Sequence, residues 1–370
     1  MTTQVSRYNY RQQLGDDPSA LVAKIRDMLL AGRYVLTAEV EAFESDFAAF
    51  VGARHARGVN TGTDALIIAL RACGVTDGDE VITQANTFHA TVAAIRLCGA
   101  RPVLVDADEL AFSFDPRQLA EAITPRTRAI IPVHLYGLPA PMHAILAHAR
   151  DGRIAIVEDA AQAVGAHIDG RPVGSLGAAA CFSFHPSKNL AAAGDGGAIT
   201  TNDDGVDRTV RQLRELGQDG QNHHVVVGLN SKLDAIQAAV LHHKLPMVAE
   251  WNVRRREIAA AYRERLADLP LAFQRVEPGQ EHVYHLFQIR TDRRDDLLRH
   301  VRAAGVDAVI RYPTPIHLQP AFADMGWRKG DFPIAERLAA ELLCLPIRPD
   351  LTLDEIDHVA DSVRGFFRGR

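Results

Sequence analysis

Lys188 stands in a short polar turn within CFSFHPSKNLAAAGDGGAITT (181–201), between an apolar run and a glycine-rich return. A lysine desolvated among apolar or cationic groups loses proton affinity and becomes an amine nucleophile. Most loop lysines are solvated and do no chemistry, but Pro186 and the GDGG tract build a tightly turned loop that a surface lysine does not require. Asp159 lies in EDAAQA (158–163), which directly follows the apolar run IAIV. A carboxylate at a strand's carboxyl end can hydrogen-bond a cationic ring nitrogen and hold it protonated, since opposite charge stabilises the charged form. A solvated acidic strand end fits the same residues. NTGTDAL (60–66) is a glycine turn opening a helix, with Thr61 as N-cap and the N–H groups around Gly62 and Thr63 turned outward. Such a helix start suits a phosphate. Taken alone it better fits an ordinary capped helix, and it lacks the GxGxxG spacing of a dinucleotide site.

An anion cradle, an acid and an amine nucleophile on one sheet are the parts a pyridoxal-phosphate site needs: a phosphate anchor, a pyridinium partner and a Schiff-base lysine. The elements that must position them follow from the hydrophobic pattern. EVIT (80–83), PVLVD (102–106), AIIPVHL (129–135) and IAIVED (154–159) read as buried strands. TDALIIALRACG, FHATVAAIRLCG and MHAILAHARDG between them read as helices, each closing near a glycine. This alternation predicts an α/β fold with a mostly parallel sheet covered on both faces, where ligands collect at the carboxyl ends of the strands. From 233 to about 269 the pattern is helical, interrupted at Pro246. HVYHLFQIR and DAVIRY then read as strands around the helix RDDLLRHVRAAG, and DEIDHVADSVRGFF as a closing helix. The division this predicts is a large domain over 1–245 and a smaller α+β domain over 246–370.

The chain has 370 residues, 47% of them hydrophobic, and a formal net charge of -5. Two domains fit that length. The mildly acidic balance without a basic stripe argues against a nucleic-acid partner. No apolar run approaches the roughly 20 residues of a membrane span, and the polar start MTTQVSRYNYRQQLGDD lacks the apolar middle of a secretory signal. A cytoplasmic enzyme with no membrane partner is the expectation. Cys73, Cys98, Cys181 and Cys344 are too scattered for a zinc or redox motif and read as core residues. There is no HExxH among the 16 histidines, His223 and His224 fall in a polar loop, and no metal is expected.

NTGTDAL, ANTFHAT, PVHLYG, EDAAQAVGA, SFHPSKNL, GDGGAITT and GLNSKLDAIQAAVL together resemble the DegT/DnrJ/EryC1/StrS aminotransferases, over residues 8 to 367. The resemblance implies the type I fold of pyridoxal-phosphate enzymes, with a seven-stranded type of sheet. It implies transfer of an amino group from an amino acid, L-glutamate by family habit, to a nucleotide-linked keto-sugar, with a lean toward 3-keto-6-deoxyhexoses. By the same resemblance Lys188 carries the cofactor and moves the proton, and Asp159 pairs with the ring nitrogen. Phe88 stacks on the ring, Gln162 lies beside the ring and its 3′ oxygen, and Gly62, Thr63 and Ser183 cradle the phosphate. A core role for Phe88 is the alternative that its own residues leave open. Asn230 matches a residue that reaches the cofactor phosphate of a neighbouring subunit, which implies a homodimer with shared active sites. Tyr34, Arg311 and His317 match substrate-facing segments.

Some positions depart from the family pattern. Thr37 and Ala191 stand where glycine is usual, Lys232 replaces an arginine, and Arg311 occupies a site often held by histidine. These departures bear on the identity of the sugar. The competing readings are a cyclitol or 4-keto acceptor, a deoxygenating relative with histidine in place of the lysine, and a regulator on an inherited fold. Lys188 opposes the last two.

Overall fold

The structure is a computed structural model that describes residues 3–149 and 152–369. Its centre is a seven-stranded sheet: β1 (His55–Val59), β2 (Glu80–Gln84), β3 (Arg101–Val105), β4 (Thr127–Ile131), β5 (Ala155–Asp159), β6 (Ala179–Ser183) and β7 (Gly197–Thr201). The strand order is β1-β7-β6-β5-β4-β2-β3. Neighbours from β6 through to β3 run parallel, and β7 runs antiparallel to both β1 and β6. The fold is therefore α/β with a mostly parallel sheet, as the pattern predicts.

Strand alternation sends successive side chains to opposite faces. In β6 this puts Phe182 with the helices α1 (Ser19–Ala31) and α2 (Ala38–Val51), where Phe47 meets its ring edge-on at 5.0 Å. Cys181 joins the opposite face, against α3 (Gly62–Ala72) and α5 (Asp204–Arg214), with α4 (His89–Leu97) beside α3. The sheet is thus covered on both faces, and Ser183, at the carboxyl end of β6, comes out beside the start of α3.

The helical stretch beyond 233 is two helices, α6 (Ala235–Lys244) and α7 (Val248–Arg265), joined by a 3-10 turn over Leu245–Met247. Pro246 lacks the N–H that a continuous helix needs and breaks it there. After it, β8 (Ala272–Phe273), β9 (Phe287–Arg290) and β10 (Leu342–Leu345) form a second sheet, packed by α7, α8 (Arg294–Ala303) and α9 (Leu353–Arg368) around a core of its own. Val5 belongs to that core too, paired with Val306.

Three expectations need correction. DAVIRY is not a strand: Val309 makes one isolated bridge to Cys344, and Tyr312 takes a left-handed φ of 57° that ends any pairing. In HVYHLFQIR only the last four residues pair, because the preceding residues turn to reach the large sheet's loops. MHAILAHARDG shrinks to a helix over Met142–Leu146 and a 3-10 turn over Ala147–Ala149, and Arg150 and Asp151 lie outside the described residues. The strand that completes the second sheet, LLCL, escaped the pattern because it follows a helix without any turn residue.

Candidate active site

The site assembles where β5, β6 and the start of α3 meet. Asp159 is fastened at the carboxyl end of β5: its N–H donates to Pro132 O, and its carbonyl accepts from His134 N. Its side chain is buried, with Oδ2 accepting from the Thr91 hydroxyl at 2.8 Å and Oδ1 from the Ala161 N–H at 3.2 Å. Burial pushes the Asp159 carboxyl up. The Thr91 and Ala161 hydrogen bonds and the charge of Lys188 oppose that shift.

Lys188 is half-buried in the loop between β6 and β7. Desolvation lowers its amine from 10.5 to about 8, Asp159 works against that shift, and Arg311 adds to it. The loop is rigid because it is pinned along its length. Lys188 N–H donates to His185 O, and Ala192 N–H to Phe184 O. The buried Lys244 Nζ of α6 donates to Ala191 O at 2.8 Å, and Ala193 N–H donates to Gln237 Oε1 at 2.8 Å. Asn189 is anchored on Asn252 Oδ1 and Val283 O. His285 lines the same region, held neutral by burial and by the charge of Lys188.

An anion cradle lies beside these groups. Thr61 Oγ1 caps α3 by accepting from Asp64 N–H. Among the described residues the N–H groups of Gly62 and Thr63 donate to no group of the chain, which leaves them for an anion. The helix start sits hard against the sheet. A Cβ on Gly62 would come within 2.7 Å of Ser183 Cβ, and one on Gly197 within 2.5 Å of the Thr61 carbonyl carbon. Only glycine permits that approach, so Gly62 and Ser183 share one edge, with Thr63 next along the helix start.

Above the sheet, Gln162 accepts from Tyr136 N–H through Oε1 and donates to the Tyr312 hydroxyl at 2.9 Å. The Tyr312 ring lies 5.8 Å from Phe88 and 6.3 Å from Tyr136. Phe88 is 52% exposed, so the core alternative fails and a free aromatic face remains. Arg311 Nη2 donates to the Tyr8 hydroxyl and acts electrostatically on Lys188. Tyr136 and Tyr312, both at left-handed φ, are site residues that the sequence left unnamed, although Tyr312 adjoins the expected Arg311. Backbone strain of that kind collects at working sites.

Three expected residues lie apart from this group. Tyr34 is exposed, its hydroxyl spent on Leu29 O, and its backbone carbonyl accepts from Ala235 N–H at the start of α6. Asn230 is exposed too, with its carbonyl accepting from Asn60 Nδ2 and its Oδ1 from Lys232. His317 is buried against Phe332 with Nε2 on Glu336 Oε1 at 2.9 Å, so its ring is enclosed in this form.

Residues 16–364 match the model of the DegT/DnrJ/EryC1/StrS aminotransferase family. The chain belongs to that family. This aminotransferase is 44% identical over 346 residues to a pleiotropic regulatory protein of Geobacillus stearothermophilus, covering 92% of this chain and 93% of the relative. It is 44% identical over 354 residues to the dTDP-3-amino-3,4,6-trideoxy-alpha-D-glucose transaminase of Streptomyces venezuelae, covering 95% and 93%. Its fold superposes with a TM-score of 0.96 on the crystal structure of S. venezuelae DesV in complex with a ketimine intermediate, at 43% identity over 99% of both chains.

Proposed function

We propose that this aminotransferase moves an amino group from an amino acid, L-glutamate first among the candidates, to a nucleotide-linked 3-keto-6-deoxyhexose in the cytoplasm. Its cofactor is pyridoxal 5′-phosphate, which when bound supplies an electron sink for the carbon that loses its proton. The observation that carries the reading is the half-buried Lys188 amine, lowered to about 8 and electrostatically coupled to Asp159. Lys188 carries the cofactor and then moves the proton at the reacting carbon. An amine near 8 is partly neutral at working pH and can serve as both acid and base. Asp159 holds the ring nitrogen protonated, Gln162 lies beside the ring edge, and Phe88 covers the ring face. The N–H groups of Gly62 and Thr63, with Ser183, hold the phosphate. Asn230, exposed on its own chain, reaches the cofactor phosphate of a second copy in a homodimer. Arg311, Tyr34 and His317 are assigned to the sugar nucleotide, His317 on condition that its enclosure by Phe332 opens.

The regulatory name borne by the Geobacillus relative is a competing description, and Lys188 decides against it, since a regulator has no need of a desolvated amine. The substrate question is tested with purified holoenzyme. L-glutamate should bleach the bound cofactor's absorbance band, and a nucleotide-linked 3-keto-hexose should restore it faster than a 4-keto-hexose or a cyclitol ketone. A faster return with a cyclitol would move the assignment to that acceptor class. A band that glutamate leaves untouched would contradict amino transfer from that donor.

A further inference from the structure

Asp159 has a support that neither the motifs nor the proposed roles include. The Thr91 hydroxyl donates to Asp159 Oδ2 at 2.8 Å, and Thr91 Oγ1 lies 2.9 Å from Thr87 Oγ1. Thr91, Thr87 and Asp159 are only 0%, 3% and 5% exposed, so these contacts exchange little with water. Proton counting orients the chain. An Asp159 that accepts the N–H of a pyridinium ring is ionised and can only accept. Thr91 has a single hydroxyl proton and gives it to Asp159, so Thr87 is the donor to Thr91. Thr87 lies just before the cap of α4 and Thr91 in its first turn, with Phe88 between them. One short segment thereby addresses both the face of the ring and the charge at its nitrogen.

We propose that Thr91 is a positioning residue for amino transfer: backed by Thr87, its hydroxyl holds Asp159 Oδ2 while the Ala161 N–H holds Oδ1, which fixes how the carboxylate is presented to the ring nitrogen and keeps it ionised. The inference rests on the reading of Asp159 as the ring partner. Other titratable groups around Asp159 come from separate elements: Lys188 from the β6–β7 loop, His134 after β4, Cys181 from β6 and Tyr312 from the irregular segment after α8. Among the described residues, Thr91 alone donates a side-chain hydrogen bond to Asp159. Burial drives that carboxyl toward its neutral form, and the Thr91 bond heads the influences opposing it. A neutral Asp159 would release the ring proton and weaken the electron sink.

The test compares Thr91→Val, which keeps the shape and removes the hydroxyl, with Thr91→Ser, which returns it, and with Thr87→Val. Each holoenzyme is titrated by following the cofactor's absorbance band against pH, with kcat, KM and cofactor Kd measured alongside. A positive ring nitrogen lowers the proton affinity of the conjugated Schiff-base nitrogen. Thr91→Val should therefore move the midpoint of the band's transition up by about one pH unit and lower kcat roughly tenfold to a hundredfold, the worth of one hydrogen bond to a charged group. KM for the sugar should stay within about twofold, because binding groups are untouched. Thr91→Ser should restore both quantities, and Thr87→Val should shift the midpoint the same way by less. A native midpoint and kcat in Thr91→Val, or no recovery in Thr91→Ser, overturns the proposal. Should Thr91→Val fail to fold, an unshifted midpoint in Thr87→Val overturns it as well. Asp159→Asn separates the two levels. If it is inactive while Thr91→Val is native, only the Thr91 role falls, and if it turns over normally the Asp159 reading itself has failed.

Discussion

At the scale of single residues, the account turns on an amine whose proton is loosened by burial. With its value lowered from 10.5 to about 8, Lys188 is mostly protonated below that pH and mostly neutral above it. Capture of pyridoxal phosphate by the cofactor-free enzyme needs the neutral amine. Its rate should therefore climb about tenfold per pH unit up to near pH 8 and level off beyond, in stopped-flow absorbance. An ordinary lysine would keep climbing toward pH 10. Lys188→Ala should lose turnover while keeping its melting temperature within a few degrees, since a half-buried loop side chain adds little to the core. Lys188 and Asp159 were legible because each follows an apolar run at a recognisable turn. Thr91 was not, since its partner is 68 positions away and nothing local marks a helix threonine as the donor to a distant acid. His317 shows the opposite: its loop matched a substrate-facing pattern, yet the chain folds Phe332 and Glu336 over its ring.

Elements place these groups through close packing and a few buried polar contacts. Glu158, beside Asp159 on β5, points away from the site and accepts from the Gly174, Leu176 and Gly177 N–H groups and from His134 Nε2. His134 Nδ1 accepts from Ala140 N–H, so Nε2 carries the proton that it gives to Glu158 Oε2. Burial raises Glu158, but His134 and the backbone N–H groups outweigh it and hold the carboxyl below its ordinary 4.5. Its stabilisation is complete above that ordinary value and is lost as pH falls through the lower folded value. Glu158→Gln turns an amide NH2 toward backbone donors and should cost about 1–3 kcal/mol in urea unfolding, with a shallower acid limb. On the same face of the sheet as Glu158, Phe182→Ala should cost about 3–5 kcal/mol. Gly62→Ala, by contrast, should weaken cofactor affinity, because its methyl meets Ser183 at 2.7 Å. The loss, roughly 1–3 kcal/mol for a crowded close contact, is read as a rise in cofactor Kd. The parallel strands from β2 to β5 were legible as apolar runs bounded by turns. DAVIRY misled because alternating apolar residues fit an irregular segment as well as a strand, and the backbone turn at Tyr312 is set by contacts with Gln162 and Tyr136.

For the whole molecule, the exposed positions of Tyr34 and Asn230 matter most. We propose a large unit over 1–245 and a smaller one over 246–370 whose core also takes in Val5. Among the described residues no helix is long and apolar enough to cross a membrane. If two copies share their sites, a mixture of Lys188→Ala and Asn230→Ala protomers should regain activity that neither has alone. Random exchange leaves one intact site in half of the dimers, so the recovery should approach about a quarter of the native rate. No recovery in a mixture shown to exchange subunits would place Asn230 outside its partner's site. In the proposed dimer Asn230 meets the cofactor phosphate of a second copy, a role that its contacts within one chain, to Asn60 and Lys232, do not reveal.

The most direct measurement is borohydride reduction of the holoenzyme followed by peptide mapping of the trapped cofactor. A single modified peptide with the label on Lys188 is expected, and none in Lys188→Ala. A label on another lysine, or no label on a protein that still transfers amino groups, would contradict it.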